Sequence, residues 1–488
     1  MNGSFVPSGA EMLRFLPEIV LTLCATLIMI LEPLTKEHNK GLLARISLAG
    51  LLVALWAAAV AHANSGPAFQ EMLFVDGFAT FFRILVIVVG LLTVLASQAY
   101  LRREQADSGE YYALVLFSIA GQCVMVTANE LIMIFIGLEI SSISSYVLAG
   151  YLRDDKRNNE AALKYFLLGS FATAFLLYGI AWIYGATGTT NLTEIRRVLA
   201  NRDIAPSIGL IGTSAALMFV GFAFKVSAAP FQVWAPDVYQ GAPAPVSAFL
   251  SAGPKAAAFA IFLRVFMTAF EPVAAEWQPV IWASALATMV IGNFAALVQD
   301  NVKRLLAYSS IAHAGYVMVA VTTHSQIGTA AAMFYLAAYA FMNVGAFAVV
   351  THFARRGEKY VGTKDMAGLA VRQPVTAALL TVFLLSLIGV PLTGGFFGKF
   401  YVFKAALDAN LVWLTVLGLL NSAVAAYYYL RIIVIMYFEE PGESVSGLPP
   451  LAPGVEAVLW GSAAATLVLG IYPSLILDFA GRSAALVR

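Results

Sequence analysis

Charge is scarce in this chain. Of its 488 residues, 12% are Asp, Glu, Lys or Arg and 60% are hydrophobic, whereas a soluble globular domain carries about 25% charged residues. That excludes an ordinary water-soluble domain, and no polar stretch is long enough to form one beside the apolar blocks. Positive and negative charges balance to a net +1, so no nucleic-acid partner is indicated. Cysteine is nearly absent: Cys24 and Cys123 each fall in an apolar segment with no His or Cys partner nearby, which excludes a disulfide framework or a thiolate metal site and leaves core packing. A dinucleotide fingerprint, a metal-ligand cluster and a nucleophile triad are also missing. Gly398 and Lys399 look like the end of a phosphate-binding loop, but Thr393 stands where that loop needs glycine and Phe400 where it needs Ser or Thr. Redox or hydrolytic chemistry, and a bound cofactor or metal, are therefore not expected of this chain.

What is present is apolar sequence in blocks. A membrane-spanning helix needs about 20 mainly apolar residues, and turn or charge clusters cut the chain into about fourteen such blocks, from one beginning near Met12 to one near Ala457, with others near Ala161, Val280 and Val375. The expected fold class is all-α, a polytopic membrane protein. The first block is too long for a signal-peptide core and no small-residue cleavage site follows it, so it reads as a retained helix. Lys36, Lys40, Arg102, Arg103, Arg153, Lys156, Arg157, Lys303, Arg304, Arg355, Arg356, Lys359 and Lys364 all fall in alternate loops. The positive-inside rule makes that side cytoplasmic and puts both termini opposite. The loop with Arg196, Arg197 and Arg202 is a basic exception.

The chain repeats weakly. Slid by 170 positions, Tyr146 falls on Tyr316, Tyr165 on Tyr335, Phe171 on Phe341, and Ala161 and Ala162 on Ala331 and Ala332. Five helices separate the copies, and an odd number inverts the second in the membrane, as in transporters with a central site reached from both faces. The expected organisation is three helices over 1–105, a five-helix repeat over 106–275, its inverted copy over 276–440 and a final helix in 441–488. Two spans are broken, one around Pro230 and one around Pro391, each near a lysine. Proline removes a backbone donor, freed backbone at membrane depth is tolerated only inside protein or beside water, and half-helix carbonyls favour a cation.

Glu139, Lys225, Lys255 and Lys399 lie deep in apolar segments, where a charge costs about 2.5–3.5 kcal/mol even on a lenient insertion scale. Such residues commonly line ion or proton paths. Glu139 cannot reach either face, so it is either protonated or paired, with Lys225 the natural partner. Lys255 has only small apolar neighbours in sequence; it is either a proton carrier with a burial-tuned affinity or half of a static bridge to Glu139. Lys164 and Lys303 sit within about a turn of a basic loop, where a long side chain can snorkel, and read equally as anchors or relay members. His313 has the intrinsic titration range of a proton shuttle and equally suits a hydrogen-bonded packing role. Glu18, Arg83 and Arg264 lie near span ends and read as snorkelling or structural.

Three runs resemble a known family: 224–243 (Phe-Lys-Val-Ser-Ala-Ala-Pro-Phe-Gln-Val-Trp-Ala-Pro-Asp-Val-Tyr-Gln-Gly-Ala-Pro), 303–316 (Lys-Arg-Leu-Leu-Ala-Tyr-Ser-Ser-Ile-Ala-His-Ala-Gly-Tyr) and 394–400 (Gly-Gly-Phe-Phe-Gly-Lys-Phe). They are similar to the proton-conducting antiporter-like subunits, and most closely to the N-type subunits of bacterial NADH:quinone oxidoreductase, respiratory complex I. The resemblance covers essentially the whole chain. It implies fourteen helices, two inverted five-helix bundles and breaks in the seventh and twelfth helices. It implies roles as well: Glu139 paired with Lys225, Lys255 as the central lysine, and Lys399 facing the periplasmic exit. Partners would be the neighbouring membrane-arm subunits, with FMN and iron–sulfur clusters in other subunits, quinone bound elsewhere, and the bacterial inner membrane as location. A lysine at 399 and the absence of a long lateral helix after Arg488 argue against two sister subunits. The related subunits of multisubunit cation/proton antiporters are the main alternative.

Overall fold

The computed structural model describes residues 7–36, 40–201, 203 and 205–485; Arg202 and Arg488 lie outside the described residues. Thirteen helices among those described are long and apolar enough to cross a membrane. The helices that build the body are α1 (Leu16–Leu31), α2 (Gly41–Ala63), α3 (Gly77–Arg103), α4 (Gly109–Thr127), α5 (Leu131–Ala149), α6 (Lys156–Thr187), α7 (Ile208–Val226), α8 (Trp234–Gly241), α9 (Ala244–Arg264), α10 (Ala274–Leu297), α11 (Val302–Thr322), α12 (Gln326–Phe353), α13 (Pro374–Ile388), α14 (Gly394–Asp408), α15 (Val412–Phe438) and α16 (Pro453–Ile471). The short pairs α7–α8 and α13–α14 are the broken seventh and twelfth spans. A single small hairpin, Gly66–Ala68 with Leu73–Val75, is the named sheet among the described residues.

Polar caps set several helix starts. Asp76 accepts the Ala79 N–H at 2.7 Å ahead of α3, and Asn301 accepts the Arg304 N–H at 3.0 Å ahead of α11. Asp155 does the same for α6 through Arg157. The sixth helix therefore begins at Lys156, about a turn before the apolar residues near Ala161 that mark it in the sequence. Likewise α10 begins at Ala274 and not near Val280, because the polar residues of its first turns dilute local hydropathy without stopping the helix. The first span begins at Leu16, after a separate short helix, Gly9–Arg14; Arg14 there donates to the Asn64 and Pro67 carbonyls at 2.7 and 2.6 Å.

The helices α9, α11 and α12 are buried on nearly all sides, whereas α1, α6 and α15 turn Leu23, Phe171 and Trp413 outward. A helix apolar all round is an interior helix, and two of these interior ones carry the candidate residues, Lys255 on α9 and Lys303 with His313 on α11. Close contacts hold neighbours in register. A Cβ on Gly121 of α4 would meet the Gly137 carbonyl of α5 at 2.6 Å, and one on Gly137 would meet the Gly121 carbonyl at 2.8 Å; small residues let the two backbones touch. The order of α4 to α9 recurs in α10 to α15: two helices, a long helix, a broken pair, a helix.

The basic exception in the 192–200 region is offset locally. Arg196 pairs with Glu271 at 3.4 Å and Arg197 with Glu194 at 3.0 Å.

Candidate functional site

Helix α13 stops at Ile388 because Gly389, at φ +94°, turns the chain left-handed. Pro391 follows and has no N–H to return to the Leu387 carbonyl four residues back. Lys399, in the second turn of α14, fills the gap. Its Nζ donates to the Leu387 carbonyl at 3.0 Å, the Ile388 carbonyl at 2.7 Å and Ser422 Oγ of α15 at 2.8 Å, and lies 5.0 Å from the Tyr316 ring centre. All three donors of this one ammonium are satisfied at the broken helix.

The break after α7 is closed differently. Ser227 is left-handed at φ +63°, and the freed backbone around Pro230 is taken up by side chains. Trp234 Nε1 donates to the Phe224 carbonyl at 2.8 Å, Thr288 Oγ1 accepts the Ala229 N–H at 2.8 Å, and Ser284 Oγ donates to the Ala229 carbonyl at 2.6 Å. Lys225 is thereby free to reach sideways to α5, where it donates to Ser142 Oγ at 2.7 Å and the Tyr146 hydroxyl at 3.2 Å.

The expected Glu139–Lys225 ion pair is not formed. Glu139, Ser142 and Tyr146 share one face of α5 at i, i+3 and i+7, and the ammonium stands opposite the two later residues. Glu139 Oε1 is buried without a hydrogen-bond partner. Nor does Lys255 bridge to Glu139: fully enclosed in α9, it donates to the Ser310 carbonyl at 3.1 Å and to Ser310 Oγ.

Ser310 begins a polar thread along α11. Its neighbour Ser309 bonds the Tyr429 hydroxyl of α15, which lies 3.3 Å from His313 Nε2, while His313 Nδ1 is 2.7 Å from the Tyr335 hydroxyl of α12. The His313 and Tyr316 ring centres are 5.7 Å apart, and Tyr316 underlies Lys399. Hydroxyls and an imidazole thus lie between Lys255 and Lys399, with sequence adjacency linking Ser310 to Ser309 and ring contacts linking His313 through Tyr316 to Lys399.

Lys303 does not snorkel. It is fully buried, donating to Glu358 Oε2 at 2.5 Å and the Ala242 carbonyl at 2.5 Å, because Glu358 folds inward from the loop after α12 and supplies a counter-charge nearer than the surface. Lys164 stays partly exposed and pairs with Asp237 at 2.8 Å and Glu160 at 2.7 Å. The residues near span ends are paired inside: Arg83 with Glu18 at 2.7 Å and Arg264 with Asp76 at 3.0 Å. Sequence reasoning missed Ser142, Tyr146, Tyr335, Tyr429, Ser422 and Glu358. The spacing of 139, 142 and 146 on one helix face was the available signal for the first two; Glu358 was hidden in a run of basic loop residues. No group of three or more His, Cys, Asp or Glu among the described residues could hold a metal ion, and Cys24 and Cys123 are buried free thiols.

Broken helices with lysines at or near the breaks, around buried interior helices, define a multi-pass membrane protein of the antiporter-like class. The chain belongs to the family described as NADH:quinone oxidoreductase/Mrp antiporter, transmembrane, whose sequence profile matches residues 128–425. Within that family it is 64% identical over 485 residues to NADH-quinone oxidoreductase subunit N 1 of Solibacter usitatus, with 99% of each chain covered. A chain of respiratory complex I from Thermus thermophilus superposes with a TM-score of 0.82 at 34% identity, covering 95% of this chain and 99% of that one. A chain of the Mrp complex from a Dietzia species shares the fold, with a TM-score of 0.84 at 21% identity and 97% of each chain covered.

Proposed function

We propose that this chain is a proton-translocating membrane-arm subunit of a bacterial NADH:quinone oxidoreductase. It carries protons across the inner membrane while electron transfer, FMN and iron–sulfur clusters reside in partner subunits. The observation that carries this reading is the thread from Lys255 through Ser310, Ser309, Tyr429 and His313 toward Lys399. A structural scaffold has no need for two buried ammonium groups with hydroxyls and an imidazole set between them.

The basic loops face the cytoplasm and both termini face the periplasm. In this reading 106–275 and 276–440 are the inverted repeats, and protons arriving near Glu139 and Lys225 pass to Lys255, then along α11, and leave at Lys399. The Ser142 and Tyr146 hydroxyls hold Lys225 in one of two positions, and a charge change in the neighbouring subunit draws it toward Glu139 or releases it. Movement of a lysine between hydroxyls and a carboxylate changes its proton affinity, which drives a proton onward. The half-helix carbonyls at Leu387 and Ile388 hold the Lys399 side chain at the break until water from the exit side competes for them.

The test is coupled pumping in inverted membrane vesicles that contain the assembled complex. Lys225→Ala and Glu139→Ala are expected to lower quinone-coupled acidification of the vesicle lumen. Unchanged pumping in both would make those two residues structural. Sodium-dependent pH changes without NADH would instead favour a cation/proton antiporter.

A further inference from the structure

The loop between α12 and α13 sits among basic residues on the cytoplasmic side, where a carboxylate would be comfortable in water. Glu358 is turned the other way. Its backbone is left-handed at φ +48°, as are Arg355 at +56° and Gly357 at +68°, and a left-handed non-glycine residue persists only where its surroundings over-determine it. Arg157 holds the Gly357 carbonyl at 2.9 Å and Glu104 holds the Gly357 N–H at 3.1 Å. The carboxylate that results is 10% exposed and collects donors from three helices. Oε1 accepts the Ala244 N–H at the start of α9 at 2.7 Å and the Tyr100 hydroxyl of α3 at 2.8 Å; Oε2 accepts Lys303 of α11 at 2.5 Å.

One side of this carboxylate meets a polar cavity of about 230 Å³ lined by Arg157, Lys164, Asp237, Gln240 and Arg304 together with Glu358 itself. The other side meets Lys303, which is fully buried. Seven residues on, about two helical turns deeper on the same face of α11, stands Ser310 with Lys255. The buried Tyr239 and Tyr339 hydroxyls lie beside Ser310.

We propose that Glu358 is the proton-uptake residue of the Lys255 branch, a second inlet separate from Glu139 and Lys225; the inference rests on the proton-translocating reading above. The carboxylate takes one proton from the cavity and becomes a neutral acid. Lys303 gives a proton inward toward Tyr239, Ser310 and Lys255 and recovers one from Glu358, which returns to carboxylate. One proton leaves the cavity, one arrives at Lys255, and both inlet groups are restored. Protonation of Glu358 also weakens its hold on Ala244, so the start of the helix that carries Lys255 is released in the same event. Charged and titratable groups facing Glu358 are Lys303 on α11, Tyr100 on α3, Arg157 on α6 with Asp155 at its cap, Glu104 after α3, and the Glu160, Lys164, Asp237 and Arg304 cluster across the cavity. The Arg157 guanidinium and N–H beside Asp155 hold its carboxyl below the usual carboxylate range, so Glu358 is not the only anion near Arg157.

The experiment is proton pumping by the assembled complex in proteoliposomes across pH 5.5–8.5. The variants are Glu358→Gln, which keeps the side chain's shape and an acceptor for Ala244 and Tyr100, and Glu358→Asp, which keeps the charge. The expected result is at least a threefold loss of quinone-coupled pumping in Glu358→Gln with normal assembly, and partial recovery with a displaced pH profile in Glu358→Asp. Wild-type pumping and pH profile in Glu358→Gln overturn the inference. Should Glu358→Gln fail to assemble, a wild-type profile in Glu358→Asp overturns it equally. Lys255→Ala is measured alongside: loss there with no effect at Glu358 defeats only the inlet, whereas normal pumping in Lys255→Ala defeats the functional reading itself.

Discussion

A lysine ammonium has three N–H donors and no acceptor, and the lysines inside this protein satisfy them differently. Lys399 is fixed by two carbonyls and a hydroxyl, Lys255 by the two oxygens of Ser310, and Lys225 by two hydroxyls of α5. Lys303 alone among them meets a carboxylate. Neutral partners bind an ammonium without cancelling its charge, so the proton is more readily given up than from an ion pair. Lys399→Ala leaves two buried carbonyls without donors at a cost of about 1–3 kcal/mol each, and is expected to lower both the unfolding temperature of the detergent-solubilised complex and its pumping. Tyr429→Phe removes only the hydroxyl between Ser309 and His313. It should assemble normally and slow coupled pumping several-fold, read as the rate of acridine-dye quenching in vesicles; an unchanged rate would take Tyr429 out of the relay.

At the scale of elements, the two broken spans are held by different devices, and each can be disturbed separately. At the second break, Gly395 lies against α13 so closely that a Cβ would stand 1.8 Å from the Ser386 carbonyl. Gly395→Ala must therefore separate α14 from α13 and draw Lys399 off its carbonyls; pumping is expected to fall as far as in Lys399→Ala. Gly185 in α6 is the control, since a Cβ there meets nothing within 4 Å. Gly185→Ala should leave pumping intact and raise local helix stability by up to about 1 kcal/mol, as seen by slower amide exchange. Hydropathy made both breaks legible, because proline and glycine interrupt an apolar run visibly. What closes the first one was not legible: Thr288 and Ser284 look like ordinary small polar residues of α10 until the fold lays that helix across Ala229.

For the whole molecule, buried ion pairs tie α1, α3 and the loop after α12 to the interior. Glu18 with Arg83 joins α1 to α3, Asp76 with Arg264 joins the start of α3 to the end of α9, and Glu358 with Lys303 joins the loop to α11. Removing one member of such a pair strands the other charge and costs about 3–5 kcal/mol, while replacing both by apolar residues is often tolerated. Arg83→Met is thus expected to destabilise the complex in a thermal-shift measurement by that amount, and Glu18→Leu with Arg83→Met to recover most of it. Equal losses in the single and double variants would mean that the pair is needed for more than neutrality. The sequence by itself determined the membrane class, the helix blocks, the two breaks and the lysines worth attention, because each of those is a local contrast of polarity along the chain. Only the tertiary structure decided their partners. Lys225 meets Ser142 from 83 residues away, and Lys303 meets Glu358 from 55. Which acceptor lies within reach of an ammonium depends on helix packing, rotation and depth, and no sum over neighbouring residues contains those.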